Sequence, residues 1–248
     1  TDNHAVQKVS PTGEVKLLTD SDLTYPTGIA VSAAGLVYVA DAGTHRIMRI
    51  SPEGQVATLA HSRDLVYPTA LSLDSAGNVY VADAGAAPNS GTVQKISSRG
   101  ALSTLATGFN KPAGIAVAPS GIVYIADTDN NTIKELGTNG QVTVLAEGFN
   151  HPRGLAVATN GTLLVADTYA NSIRRVSPRG QVALLVEGFK FPAGVATDRA
   201  GAVYVADTGS GSLRKISPTG QVSTLAGGTP PPVPATSTAD SNPAATKQ

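Results

Sequence analysis

The sequence predicts an all-β fold: a six-bladed β-propeller of four-stranded antiparallel blades, with one blade incomplete. Three observations point there. Pro-x-Gly-apolar-Ala recurs at residues 26–30, 112–116, 152–156 and 192–196, with a variant at 68–72 in which Ala70 replaces the glycine. The prolines lie 42, 44, 40 and 40 residues apart, and eleven residues after each begins an apolar run that closes on Ala-Asp. No stretch shows the spacing of an amphipathic helix. Four short strands in a unit of about 40–45 residues are the pattern of a propeller blade, whose two apolar faces are covered only by packing against neighbouring blades.

Each strand of the unit has its own signature. Strand a starts at the proline. Strand b is the apolar run ending at Asp41, Asp83, Asp127, Asp167 or Asp207, and Gly35, Gly77, Gly121, Gly161 or Gly201 stands in the a–b turn. Strand c is a short run such as Arg-Ile-Met-Arg-Ile at 46–50 or Ser-Ile-Arg-Arg-Val at 172–176. Strand d follows Gly-Gln-Val or a close variant, starting at Gly13, Gly54, Gly100, Gly140, Gly180 and Gly220. Ser-Pro-x-Gly at 10–13, 51–54, 177–180 and 217–220 supplies c–d turns. There Pro presets φ and Gly accepts a positive one. β-branched residues fill the strands, and Val-Tyr-Val-Ala sends alternate side chains to opposite faces. The Pro strands are therefore expected innermost and the Gly-Gln-Val strands outermost. Ile29, Ile115, Leu155, Val37, Val123 and Val203 are expected to be buried.

The first unit begins at strand c, because residues 2–8 align with 129 onward. Strands c and d alone are thus expected at the N-terminus. With six-fold spacing, the absent a–b pair leaves a gap that stays open or is filled by chain from outside residues 1–248. The propeller is read over residues 1–226. Residues 227–248, rich in Pro, Ser, Thr and Ala, read as an irregular tail.

Pro-x-Gly-Ile-Ala-Val followed by Val-Tyr-Ile-Ala-Asp-Thr-Asp-Asn-Asn-Thr-Ile-Lys at 123–134 resembles the NHL repeat of bacterial-type NHL domains. The resemblance runs from residue 1 to about 226 and implies a six-bladed propeller. Known members of that family include sensor domains of bacterial kinases, RNA- or protein-binding modules of animal regulators, and propeller lyases and lactonases. The family's common use in bacteria, with the Pro/Thr-rich tail, implies an extracytoplasmic location: secreted, periplasmic or cell-surface.

Composition narrows the partners. Lys+Arg and Asp+Glu balance at 18 each, which gives no reason to expect nucleic acid. There is no cysteine for a disulfide or a thiolate metal site. No apolar run reaches the roughly 20 residues of a membrane helix, so no membrane span is expected.

Candidate binding residues are those that vary inside the constant frame. In a propeller the d–a and b–c loops share one face. The residue before each proline is Tyr25, Tyr67, Lys111, His151 or Phe191, and the residue after it is Thr27, Thr69, Ala113, Arg153 or Ala193. An aromatic and basic ring suits a ligand, so the site is expected at Tyr25, Tyr67, Lys111, His151, Arg153 and Phe191. The Asp ending each strand b repeats in every unit and is expected to accept backbone N–H bonds rather than to act chemically. His4, His45, His61 and His151 are expected to be surface residues, with no metal, no cofactor and no catalytic set. Asp127-Thr128-Asp129 lacks the glycine and glutamate of a calcium loop, having Thr132 and Thr138 instead. No Gly-x-Ser-x-Gly elbow occurs. Asn130-Asn131-Thr132 and Asn160-Gly161-Thr162 are glycosylation sequons. The span from Asp to strand c is six residues in four units and ten in the second, an insertion at 84–91 on the same face. The function expected is a non-enzymatic binding, sensor or protein-interaction module, taking a protein or small-molecule ligand on one face. The alternatives are a metal-dependent propeller lyase or lactonase, and an RNA-binding propeller.

Overall fold

The computed structural model describes residues 4–20 and 22–228. The tail expectation over 229–248 lies outside the described residues, while Gly227 still belongs to the last strand. Strands β1 (Val6–Val9) and β2 (Val15–Thr19) form a two-stranded sheet. Blade I contains β3 (Pro26–Val31), β4 (Val37–Asp41), β5 (Arg46–Ile50) and β6 (Val56–His61). Blade II contains β7 (Pro68–Leu73), β8 (Val79–Asp83), β9 (Gly91–Ile96) and β10 (Leu102–Phe109). Blade III contains β11 (Gly114–Val117), β12 (Val123–Asp127), β13 (Thr132–Leu136) and β14 (Val142–Ala146). Blade IV contains β15 (Pro152–Val157), β16 (Leu163–Asp167), β17 (Ser172–Val176) and β18 (Val182–Glu187). Blade V contains β19 (Pro192–Thr197), β20 (Val203–Asp207), β21 (Ser212–Ile216) and β22 (Val222–Gly227). Every pairing is antiparallel between consecutive strands, and the only helices among the described residues are the 3-10 turns Thr128–Asn130 and Thr208–Ser210.

The expectation of six blades is corrected: the described residues form five four-stranded blades. The sixth Gly-Gln-Val-like element, at Gly13, belongs to the β1–β2 pair. Those strands pair only with each other, since no described strand lies inside β1. The pair acts in the outer layer. Val6 and Leu18 pack with Val37, Val39, Met48 and Ile50 of blade I. The turn at Gly13 lies so close to the Leu225 carbonyl of blade V that a Cβ there would overlap it.

The blades pack through their faces, and the inner strands succeed one another in the order β3, β7, β11, β15, β19. Strand b is buried end to end in blades I to IV. Its alternation puts Tyr124 and Ala126 against Leu155 and Val165 on one side, and Val123 and Ile125 against Tyr80 and Ala82 on the other. The glycine of Pro-x-Gly is what lets inner strands approach. A Cβ on Gly114 would overlap the carbonyl oxygen of Arg153 in the next strand, and one on Gly28 would stand 2.6 Å from Ala70 Cα. Gly194, on the last inner strand, would meet only Ala206 Cβ at 3.4 Å.

Of the six residues expected in the core, Ile115, Leu155, Val37, Val123 and Val203 are buried, but Ile29 is 53% exposed. It projects from the first inner strand, where no earlier blade covers it, and Val31 beside it is 61% exposed. Blade V shows the matching bare wall. Ala206 and Ala196 are exposed, and Tyr204 and Leu213 half-buried, where Ala40, Ala82, Ala126 and Ala166 are fully covered. Both walls border a central cavity of about 350 Å³. Its lining is largely glycine, alanine and aliphatic side chains, with Thr27, Thr69 and Tyr204.

Candidate functional site

The up-down order of the strands puts all b–c turns and d–a loops at one end of the molecule, and all a–b and c–d turns at the other. The aspartates closing strand b tie the first group together. Asp127 Oδ1 accepts the N–H of Asn110 at 2.6 Å, Asp167 Oδ1 that of Asn150 at 2.6 Å, and Asp207 Oδ1 that of Lys190 at 2.5 Å. Asp41 takes Thr24 and Tyr25, and Asp83 takes Tyr67 and Gly85. These carboxylates anchor the loop that leads to each proline.

The anchors come in two forms. In blades III to V a strand-c cation completes the corner. Lys134 Nζ lies 2.6 Å from Asp127, Arg174 Nε 3.0 Å from Asp167, and Arg214 3.6 Å from Asp207. Each cation also lies over the phenylalanine that ends strand d or follows it (Phe109, Phe149 or Phe189) at 4.9–5.7 Å from the ring centroid. Blades I and II have Met48 and Gln94 at the cation position, as the registers Val39↔Met48, Val81↔Gln94 and Ile125↔Lys134 show. Asp83 therefore has no strand-c cation, and its Oδ2 and the Gln94 Oε1 are both buried without a hydrogen-bond partner. Burial pushes the Asp83 carboxyl above the usual carboxylate range, with the N–H groups of Tyr67, Gly85 and Val66 pulling the other way.

The stitch between blades also has two forms. Thr27 Oγ1 donates to the Pro68 carbonyl and Thr69 Oγ1 to that of Pro112, each at 2.7 Å. Blades III and IV have Ala113 and Arg153 after the proline. There the donor is the residue after the aspartate: Thr128 to Pro152 and Thr168 to Pro192, each at 2.8 Å.

On this scaffold the six expected site residues fall at one end, in three groups. Tyr25 and Tyr67 form a tilted ring pair with centroids 6.3 Å apart. Burial first, and then Tyr25 beside it, raise the Tyr67 phenol above its ordinary value. Lys111 Nζ lies 3.1 Å from Asp129 Oδ2, whose other oxygen is 3.9 Å from His151 Nε2. His151 and Phe191 flank Tyr169, stacked at 4.3 Å and edge-on at 5.9 Å. Arg153 is exposed at the start of β15. Tyr169 and Asp129 were not among the expected residues. Both occupy the second position of the b–c turn after Asp, where blades I, II and V have Gly43, Gly85 and Gly209. Variation at that position was the available signal. Lys111, His151 and Phe191 have φ of 48°, 53° and 50°. His4, His45, Asn131 and Asn171 also occupy the left-handed region, at the end of the b–c turn. Asn131 and Asn171 each receive an N–H, from His151 and Phe191. The insertion at 84–91 is a small uncharged turn held by Ser90 Oγ and Ala87. Among the described residues no group of three or more His, Cys, Asp or Glu side chains is placed to hold a metal, and no helix is long and apolar enough to cross a membrane.

Fold and site define a repeat β-propeller with its individuality gathered on one loop face. The chain belongs to the NHL-repeat propellers: the NHL repeat matches residues 23–49, 109–136, 149–176 and 189–216. The matched stretches fall in blades I, III, IV and V and pass over blade II, whose Ala70 and insertion depart from the pattern. No curated protein gives a significant match. Among solved structures, a nidogen/laminin complex superposes with a TM-score of 0.79 at 21% identity, covering 90% of each chain. Virginiamycin B lyase from Staphylococcus aureus, in a catalytically inactive form with quinupristin, gives 0.66 at 20%, covering 85% of this chain and 72% of its own. A gluconolactonase from Xanthomonas campestris gives 0.69 at 17%, covering 82% and 75%. At these identities the likeness is one of fold.

Proposed function

We propose that the protein is a non-enzymatic interaction module that binds a protein partner on the face carrying the d–a and b–c loops. The observation behind this reading is the backbone at Lys111, His151 and Phe191. A side chain bearing a Cβ in the left-handed region costs about 1–2 kcal/mol, and glycine or asparagine would serve there more cheaply. Three large side chains hold that conformation on this face, with Asp129 and Tyr169 between them, and each presents a ring or an ammonium group to solvent. Half-exposed aromatics beside a basic group are the anchors that protein interfaces favour. The fold neighbour solved in a nidogen/laminin complex supports a protein as partner. The apolar lining of the central cavity supports binding over the lyase and lactonase chemistry of the other neighbours. The even charge balance supports a protein over RNA.

The test is affinity capture from the native source with three immobilised forms: the unaltered protein, Tyr169→Ala/Phe191→Gly, and Arg179→Ala in a c–d turn at the far end. A partner retained by the unaltered protein and Arg179→Ala but lost by the double variant is the expected result. Equal capture by all three forms, or equal loss from both variants, would overturn the reading.

A further inference from the structure

Successive blades repeat one bond that blades V and I hold in two separate halves. Thr27 donates to the Pro68 carbonyl, Thr69 to that of Pro112, Thr128 to that of Pro152 and Thr168 to that of Pro192. Thr208 follows Asp207 as Thr128 follows Asp127. Yet Thr208 is exposed, and its hydroxyl reaches the Ala206 carbonyl of its own blade at 3.4 Å. Across the junction, the Pro26 carbonyl has no threonine donor among the described residues. The walls around this divided bond are apolar and bare: Ile29 and Val31 on blade I, Ala196, Tyr204, Ala206 and Leu213 on blade V.

The hairpin β1–β2 bounds this wedge on its outer side, seated as strands c and d are seated elsewhere. A Cβ on its Gly13 would overlap the Leu225 carbonyl, as one on Gly180 would overlap that of Leu145. A Cβ on Gly54 or Gly100 would stand 2.8 or 2.7 Å from the Leu18 or Leu59 carbonyl oxygen. Strand β1 makes its ladder with β2 alone, so its inner edge faces the wedge without a strand among the described residues. Gln7, at the register position of the buried Gln94, is exposed there.

The open edge and the divided bond select the occupant. A strand edge is met by another strand, through main-chain hydrogen bonds with side chains on alternate faces. A helix satisfies its own backbone and is about 10–12 Å wide, so it would leave the edge of β1 unmet. A second copy carries its own β1 enclosed between its own blades, so two such edges cannot reach one another. Two extended strands about 4.8 Å apart reach from β1 toward the central cavity, as strands b and a do in each blade. Both faces of those strands must be apolar to cover the two walls, and the inner one must offer a carbonyl to Thr208.

We propose that the wedge between blades I and V is a docking site for a two-stranded β-hairpin of another polypeptide, whose outer strand joins the edge of β1. This site stands apart from the loop face. The probe is a synthetic peptide of residues 112–127, an a–b hairpin of this repeat, extended by lysines for solubility and added to the full chain. Hydrogen exchange should slow about ten-fold or more at the amides of Val6–Val9 when the peptide binds. Ala206→Arg, which puts a charge on the bare wall, should weaken binding by about ten-fold or more, and Thr208→Ala by about five-fold. Thermal unfolding of the two variants without peptide checks that each is folded. Tyr169→Ala/Phe191→Gly should bind the peptide as the unaltered chain does, which separates this site from the loop face. No binding, binding that leaves exchange in β1 unchanged, or binding that Ala206→Arg leaves intact would each overturn the docking site.

Discussion

Blades II and III perform the same task with different chemistry. Each must pin a d–a loop to the end of strand b and hold the next inner strand. Blade III uses a charged corner, Asp127 with Lys134 over Phe109, and stitches to blade IV through Thr128. Blade II has a neutral side chain, Gln94, at the aligned position, its amide donating to the Asp64 carbonyl, and stitches to blade III through Thr69. The repeat conserves the position of a bond while the residue supplying it changes. A substitution at one aligned position therefore means something different in each blade.

The largest expected difference is at the aspartates. Asp127→Asn leaves Lys134 facing a neutral group in a mostly buried corner, and urea unfolding should show a loss of about 3 kcal/mol. Asp83→Asn should cost much less, because no strand-c cation is left facing a neutral group and the side-chain oxygen can still accept from Tyr67 and Gly85. If both variants lose the same amount, the two corners are equivalent and the comparison fails.

The stitch comes next. Thr128→Ala removes the donor to Pro152 and should cost about 1 kcal/mol. Adding Ala113→Thr places a threonine where blades I and II have one, and should recover most of that loss. No recovery in the double variant would mean that the two positions do not substitute for one another.

The pH dependence of stability tests the Asp83 corner itself, since burial raises the Asp167 carboxyl too, even beside Arg174. Burial raises the Asp83 carboxyl, so the native state holds its proton to higher pH than the unfolded chain does. This group's contribution is therefore full below about pH 4, the unfolded value, and declines as pH rises toward the native value. Unfolding midpoints from pH 4 to 7 should show a smaller decline in Asp83→Asn than in the unaltered protein, and identical profiles would contradict the neutral-corner picture.

The smallest expected effect on stability is at the face. Phe191→Gly relieves the left-handed strain but adds backbone freedom to the unfolded chain, so thermal unfolding should place it within about 1 kcal/mol of the unaltered protein. A much larger loss would mean that the ring belongs to the core rather than to the face.

The repeat frame was legible because its causes are local. Proline, the turn glycines and the aspartates announce strand ends wherever they stand. The alternation of threonine between Pro-Thr with Asp-Ala and Pro-Ala or Pro-Arg with Asp-Thr was also present in the letters. Its meaning was not, since the carbonyl it serves belongs to another blade about 40 residues away. Ile29 matches Ile115 in sequence position, yet its exposure depends on what stands beside it in space. The blade count failed for the same reason: six outer-strand signals do not imply six inner strands. The d–a half of the face could be read from variation before each proline. Tyr169 lay in a turn read as structural, and only the folded chain brings it between His151 and Phe191.

The outer pair β1–β2 bears on how the molecule comes apart. Blades I to V succeed one another along the inner layer, each leaning on its neighbours, as in an array whose members fold against one another in turn. The short hairpin touches both blade I and blade V. It works as a clasp on a collar. While it is fastened, neither end blade can fray without breaking contacts on two sides. Once it opens, loss of structure can travel inward from either end. The earliest amide exchange should then mark β1 and β2, and the slowest the buried strand b of blade III, which is farthest from both ends.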